Sequence, residues 1–296
     1  MEKLAFASVS RSLDIRTYIF VSSIRRFAGN LSDSPIWIFT PKSEKEIPQN
    51  IKERFLSLEV NIIPFNIDPD FEKFPFTDYV FASATAEAFA KDKCEILAWI
   101  LPDTLIISTP KHFLLEKEKK LGYRPVHHTL VGSIFDEPID SFWDLIYQKC
   151  YVTKDKIFPM KTHVDHNILR PYFNAGFLVV RPEAGILQTW WNCFKELYRD
   201  PCFEIFYQKD KSYMIFMHQA ILAGVILSKM EQKEIQELPF SYNYPLHLYN
   251  ESPHQYRPHN INDLVTARYE EIKWLEKVPI HEQLKKWILC QIKSFS

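Results

Sequence analysis

Residues 170–182 read Arg170-Pro171-Tyr172-Phe173-Asn174-Ala175-Gly176-Phe177-Leu178-Val179-Val180-Arg181-Pro182. An approach segment leads to a polar corner at Asn174-Ala175-Gly176, and a wholly apolar run follows. That run is too short for a helix of its own. Its β-branched residues and the closing Arg181-Pro182 predict a strand buried on both faces. An Asn and a Gly at the mouth of such a strand put a side-chain amide and bare backbone where a ligand can approach closely. Taken alone the stretch is a strand with a turn before it, so the flanking pattern decides its meaning.

On the N-terminal side, apolar runs at Leu4–Val9, Pro35–Thr40, Val60–Phe65 and Glu95–Leu101 read as strands. Helical spacing fills Ser12–Phe27, Glu44–Phe55 and Thr77–Asp92 between them, with a Pro- and Phe-rich loop over Asn66–Phe76. Strand and helix thus alternate, the signature of βαβ units on a parallel sheet. Ligands of such sheets lie beyond the carboxyl ends of the strands, which directs attention to Ser8-Val9-Ser10, Pro64-Phe65-Asn66 and Pro102-Asp103.

Further along, Leu105–Ser108 reads as a strand, Pro110–Lys120 as a short charged helix and Pro125–Gly132 as a strand. Helices are predicted over Asp140–Cys150, Pro182–Tyr198 and Tyr213–Met230, the last containing His218-Gln219. An aromatic, proline-punctuated stretch Leu238–His247, a short strand Leu264–Tyr269 and an amphipathic helix Ile280–Phe295 complete the chain. There is no internal repeat, low-complexity run or Gly/Ser linker, and one α/β domain over residues 1–296 is expected.

Composition narrows the function classes. The 296 residues are 46% hydrophobic and 15% aromatic, ample for a large core, and the formal net charge of −1 with dispersed basic residues argues against a nucleic-acid surface. Six glycines form neither a dinucleotide nor a P-loop fingerprint. Five cysteines, none in a C-x-x-C, fit free thiols in a reducing compartment. The first residues read as a strand rather than a leader, and no stretch reads as a spanning helix. A cytoplasmic location is the expectation.

Several stretches in this order resemble nucleotide-sugar glycosyltransferases of the GT-A fold, in particular the glycogenin-like and galactosyltransferase-like group numbered family eight. They are Leu101-Pro102-Asp103-Thr104-Leu105-Ile106-Ile107, the Tyr172–Pro182 stretch with its Asn-Ala-Gly, His218-Gln219-Ala220-Ile221-Leu222, Leu238–His247 and Ala267-Arg268-Tyr269. The likeness covers the chain from Leu4 to Tyr269. It implies a mostly parallel, Rossmann-like GT-A sheet flanked by helices, with a small antiparallel subsheet on the acceptor side. A nucleotide-binding half (1–108), an acceptor half (109–270) and a helical tail (271–296) would follow.

The resemblance also implies site residues. Ala7, Ser8, Val9 and Asn66 would hold base and ribose, and Asp103 the sugar or phosphate end. Asn174, Gly176 and Gln219 would position the donor sugar. Asn174, His218 and Gln219 would be the catalytic residues. His218, standing where the group carries an Asp, would act as base or hydrogen-bond donor unless it is simply core. The partners implied are a nucleotide-diphosphate sugar and a glycan or small-molecule acceptor, with the stereochemical outcome left open. The group's two aspartates and late histidine hold Mn²⁺ against the diphosphate. Here the first aspartate is Leu101, and the histidine falls on Arg268 or Ala267. Leucine ligates nothing and arginine repels a cation, so Mn²⁺ or Mg²⁺ is doubtful and no cofactor is expected. Either Arg268, with Arg170 or Arg181, supplies the positive charge instead, or the fold persists as a catalytically silent nucleotide- or glycan-binding protein.

Other residues read more blandly. His127 and His128, adjacent in a strand, would face opposite sides, so at most one lines a pocket. Asp165, in the cluster His163-x-Asp165-His166, is a candidate acceptor-side carboxylate. Among His247, His254 and His259 only His247 is placed near the site. Trp99, Trp190 and Trp191 read as core. No spaced carboxylate pair supports a hydrolase.

Overall fold

The computed structural model describes residues 1–42 and 47–295. Strands β1 (Glu2–Val9), β2 (Ile36–Pro41), β3 (Val60–Phe65) and β4 (Cys94–Ile100) are mutually parallel. Helices α1 (Ile15–Phe27), α2 (Gln49–Leu56), a single turn α3 (Pro69–Glu72) and α4 (Thr77–Ala90) connect them. The βαβ alternation read from the sequence is therefore realised. The start of the helix expected over Glu44–Phe55 lies outside the described residues, and its described part is α2.

Beyond β4 come β5 (Thr104–Ile106), β6 (Leu121–Pro125), α5 (Ser141–Lys149), β7 (Met160–Lys161), β8 (Ile168–Leu169) and β9 (Phe173–Val180). Then follow α6 (Ile186–Leu197), α7 (Glu204–Lys209), α8 (Lys211–Lys229), β10 (Ile235–Glu237), β11 (Tyr244–Pro245), β12 (Thr266–Arg268) and α9 (Glu282–Phe295). Seven strands form one sheet in the order β10-β6-β9-β4-β1-β2-β3, and β9 runs antiparallel to both neighbours. A second sheet, β11-β12-β5, pairs β12 antiparallel to β5 and parallel to β11. A mostly parallel sheet with a small separate one is the architecture the resemblance implied.

Apolar side chains pack both faces of the large sheet. Val80, Ala86, Trp190, Phe194 and Ile221, from α4, α6 and α8, cover one face with Leu178 and Val180 of β9. Phe20, Ile24 and Phe55, from α1 and α2, cover the other with Phe177 and Val179. The strand is buried on both sides, as its uninterrupted apolar run requires. The two halves share this one sheet, and α9 packs back on α1, with Trp287 4.8 Å from Phe27 and Phe295 5.2 Å from Tyr18.

Three expectations fail for identifiable reasons. Pro110–Lys120 forms only a turn at Lys111–Phe113, because Glu116–Lys120 offers no apolar stripe to bury. The strand expected over Pro125–Gly132 lies earlier, at Leu121–Pro125, since the backbone leaves the sheet at the proline. The 19-residue α8 is long and apolar enough to cross a membrane by length and composition, contrary to the sequence reading. Its segment from Met217 to Leu227 is buried in the protein core, where α8 packs so closely on α5 that a Cβ at Gly224 would meet Cys150 Sγ at 2.5 Å.

One buried carboxylate ties two of the helices together. Glu87 of α4 accepts the N–H groups of Leu187 at 3.1 Å and Gln188 at 2.8 Å, capping the first turn of α6 from outside. Burial outweighs these bonds and pushes its pKa from 4.5 up to about 7. The folded protein thus holds this proton more tightly than the unfolded chain, so the stability it contributes is lost as pH rises from 4.5 through about 7. That loss amounts to about 3 kcal/mol. Urea denaturation at pH 5 and pH 8 should show Glu87→Gln, which cannot titrate, losing about that much less than wild type over the interval.

Candidate active site at the bulge of β9

The polar corner of the opening stretch is a bulge. Leu178 stands opposite Tyr123 of β6, but Phe173 stands opposite Pro125, so β9 spends three extra residues between the two pairs. Those residues carry Asn174, Ala175 and Gly176, and side chains satisfy the backbone groups they free. Asn174 Oδ1 accepts the Gly176 N–H at 3.1 Å, and Gln219 Oε1, reaching from α8, accepts the Ala175 N–H at 3.0 Å. Glycine at 176 lets Leu101 sit close, because a Cβ there would lie 2.7 Å from Leu101 Cδ1 and that side chain would have to shift.

Because β9 is antiparallel to β4, its opening end meets the carboxyl end of β4, and the Leu101 N–H donates to Gly176 O at 3.0 Å. Two residues on, Asp103 is fixed by β12, whose Tyr269 N–H donates to its carbonyl at 2.9 Å. The same register sets Arg268 opposite Thr104 and its Nε 3.0 Å from Asp103 Oδ2.

A cavity of about 300 Å³ lies at this junction. Leu101, Asn174, Gly176, His218, Gln219 and Arg268 all line it, as do both His127 and His128. The expectation that only one of that histidine pair could reach a pocket assumed a strand, and residues 126–132 are not one. His247 also lines it, in agreement with its placement near the site. Asp103 is reached through Arg268. Ala7, Ser8 and Val9 are buried within β1, Asn66 is exposed, and none of the four lines the cavity.

Three histidines of the cavity, His127, His218 and His247, are neutral at pH 7. His218 is pushed down to about 3 by burial, and its Nδ1–H donates to Ile215 O at 2.9 Å, leaving Nε2 as an acceptor. Its ring lies on Phe76, 4.5 Å away and 26° from parallel. His247 is pushed down to about 4 by burial and by Arg268, and burial with His163 and Arg268 holds His127 well below its ordinary range. Such weak bases serve as hydrogen-bonding groups rather than proton acceptors.

Arg268 is the single Arg or Lys side chain lining the cavity among the described residues. Its Nε is held by Asp103, its Nη2 lies 3.8 Å from Glu270, and its two amino groups make no other hydrogen bond among the described residues. Asp103 Oδ1 is buried without a partner. These residues do not make a divalent-cation site. A guanidinium fills the place beside Asp103, Leu101 offers no donor, and no described group of three His, Cys, Asp or Glu could hold a metal ion.

Sequence reasoning missed Phe76, Tyr79 and Glu270, which also line the cavity. Phe76 and Glu270 adopt φ of 61° and 56°, left-handed conformations that cost non-glycine residues about 1–3 kcal/mol and concentrate at functional sites. Trp190, read as core, is buried but forms the cavity base, its indole N–H donating to His218 O at 2.8 Å. Asp165 is structural: it accepts from Thr129 N and Oγ1 at 2.8 Å and from Thr162. Neither Arg170, bound to Ser133 and Glu137, nor Arg181, bound to Lys119 O, reaches the cavity.

The βαβ half, the inserted β9 and the cavity at its bulge have the GT-A-like layout that the resemblance implied. The chain belongs to the Rhodobacterales glycosyltransferase domain family, which matches residues 5–229. It is similar to the galactosyltransferase LgtC solved with donor and acceptor sugar analogues, at 14% identity over 99% of this chain and 95% of that one, with a TM-score of 0.48. It is also similar to mouse xyloside xylosyltransferase 1 (10% identity, 91% and 97% coverage, TM-score 0.46). A third similar structure is core-mannan synthase A from Aspergillus fumigatus in its Mn/GDP form (8%, 80% and 73%, TM-score 0.44). At such identities and scores these likenesses speak to neither substrate nor mechanism. No curated protein sequence matches.

The Asp103–Arg268 pair gives a direct test of this geometry. Arg268→Met strands a carboxylate that is 12% exposed and should lower stability at pH 7 by about 3 kcal/mol in urea denaturation. The double change with Asp103→Leu removes both charges and should recover most of that loss.

Proposed function

We propose that the protein transfers a sugar from a nucleotide-diphosphate donor to a hydroxyl of a glycan or small-molecule acceptor, with Arg268 facing the diphosphate in place of a divalent metal. The observation carrying this is that Arg268, held at Nε by Asp103, shares one cavity with Asn174, Gly176 and Gln219. Its free amino groups form a planar fork matched to phosphate oxygens, and Asp103 sets the direction of that fork. As the donor bond breaks, negative charge grows on the leaving diphosphate, and a guanidinium already fixed by Asp103 stabilises it with little reorganisation.

The cavity is at the lower end of ligand-pocket sizes, suited to the sugar and the adjoining phosphate. The nucleoside is assigned to the carboxyl edge of β1–β3, toward Val9 and Asn66. Asn174 and Gln219 present amides to sugar hydroxyls, and His218 Nε2 accepts from another. Glu270 is the candidate to take the acceptor proton. It lines the cavity, and burial pushes its pKa upward against the opposing pull of Arg268.

A second reading, a nucleotide- or glycan-binding protein without turnover, draws support from the low basicity of the surrounding histidines. The two readings diverge in one assay series. A nucleotide sugar present at 100 times its Kd should add about 2.7 kcal/mol to stability in a thermal-shift screen, and no shift with any donor counts against the donor site. Transfer to a hydroxyl acceptor should persist in EDTA, and complete loss on chelation would overturn the metal-free reading. Arg268→Ala should weaken donor binding by about 1.5–3 kcal/mol. Glu270→Gln should lower kcat by about 100-fold while leaving that binding intact. Binding without any turnover selects the second reading.

A further inference from the structure

The cavity wall formed by His127 has another side. The His163 ring stands 5.8 Å from that of His127 and 4.1 Å from that of Phe240. Phe240 borders a separate pocket of about 340 Å³, whose other chemically distinctive walls are Arg124, Lys161, His166, Glu237 and Tyr256. None of these residues belongs to the cavity at the β9 bulge.

Two features of this pocket suit a sugar ring. Phe240 and Tyr256 are 38% and 40% exposed, unusual for large aromatic side chains that border the same recess. Tyr256 is held in place by His166, 4.1 Å away, with Lys161 Nζ 5.2 Å from its ring centre. Faces of this kind cover the apolar C–H side of a pyranose while leaving its hydroxyl edge to polar groups.

The polar wall suits an anion. Arg124 is buried, and it donates to Glu237 Oε1 at 2.8 Å, to Leu238 O at 2.6 Å and to His163 Nδ1 at 3.2 Å. Its Nε–H is buried with no partner among the described residues. A guanidinium N–H in that state costs stability unless a ligand oxygen accepts from it. Burial and Lys161 keep His166 on the neutral side, so Arg124 and Lys161 against Glu237 leave one net positive charge. One carboxylate balances it, whereas a phosphate monoester, carrying about −1.5 to −2, overshoots.

We propose that this pocket binds a monoanionic sugar, a uronate-type unit carried by the acceptor glycan. The assignment to the acceptor rests on the transferase reading above; the binding does not. Arg124 takes the carboxylate at Nε with Lys161 as the second cation, and Phe240 and Tyr256 flank the ring.

The test is calorimetric titration of the full chain with trigalacturonate, with maltotriose as the neutral comparison. Wild type should bind trigalacturonate, and Lys161→Ala and Tyr256→Ala, changes at the surface, should each weaken it about tenfold or more. The thermal shift with a nucleotide sugar should be unchanged in both variants. Absence of trigalacturonate binding, equal binding of maltotriose, unchanged affinity in both variants, or tighter binding of galactose 6-phosphate would each overturn the proposal. Trigalacturonate binding with no donor shift in wild type would leave the pocket standing and remove the acceptor assignment.

Discussion

The arrangement depends on the insertion of β9, reversed in direction, between β4 and β6. Reversal brings the start of β9 to the rim where β4 ends, and the bond from Leu101 N–H to Gly176 O pins the two ends together. Three extra residues then have nowhere to go but outward. The Ala175 and Gly176 N–H groups released by that bulge are taken up by amide side chains, so Asn174 and Gln219 are structural acceptors as well as cavity walls. The organisation of the site is thus a solution to the hydrogen-bond deficit of an interrupted ladder.

The electrostatics have the same economy. The cavity is walled by aromatic rings and by the His127, His218 and His247 imidazoles, which burial keeps neutral. Its single guanidinium is balanced by the carboxylate of Asp103, with Glu270 nearby. Under the proposed function, attraction for a diphosphate would come from donors aimed by the Asp103 anchor rather than from a large net positive field.

The parallel half was legible because each strand is a short apolar run and each helix has its own periodicity. The existence of β9 was legible for the same reason, but its direction was not, since pairing sense leaves no mark on a buried apolar run. Segments such as Glu116–Lys120 and Val126–Gly132 were misread because tertiary packing, not local preference, decides them. Asn174, Gly176, His218, Gln219 and Arg268 could be picked out through the order of the motifs that carry them. Phe76, Tyr79 and Glu270 could not, because a bend after α3 and a left-handed residue after β12 bring them in, and neither has a sequence signature.

The contact between Leu101 and the bare backbone of Gly176, beside the Asp103–Arg268 pair, limits the routes by which this chain can change. An aspartate placed at 101 would stand a second carboxyl in a place shaped for an isobutyl group, with the Arg268 guanidinium still filling the space beside Asp103. A histidine placed at 268 would leave Asp103 without its guanidinium partner. Each single change is costlier than the residue in place, because Leu101 and Gly176, and Asp103 and Arg268, constrain one another. Substitution at this rim is therefore coupled: Asp103 and Arg268 tolerate replacement only as a pair.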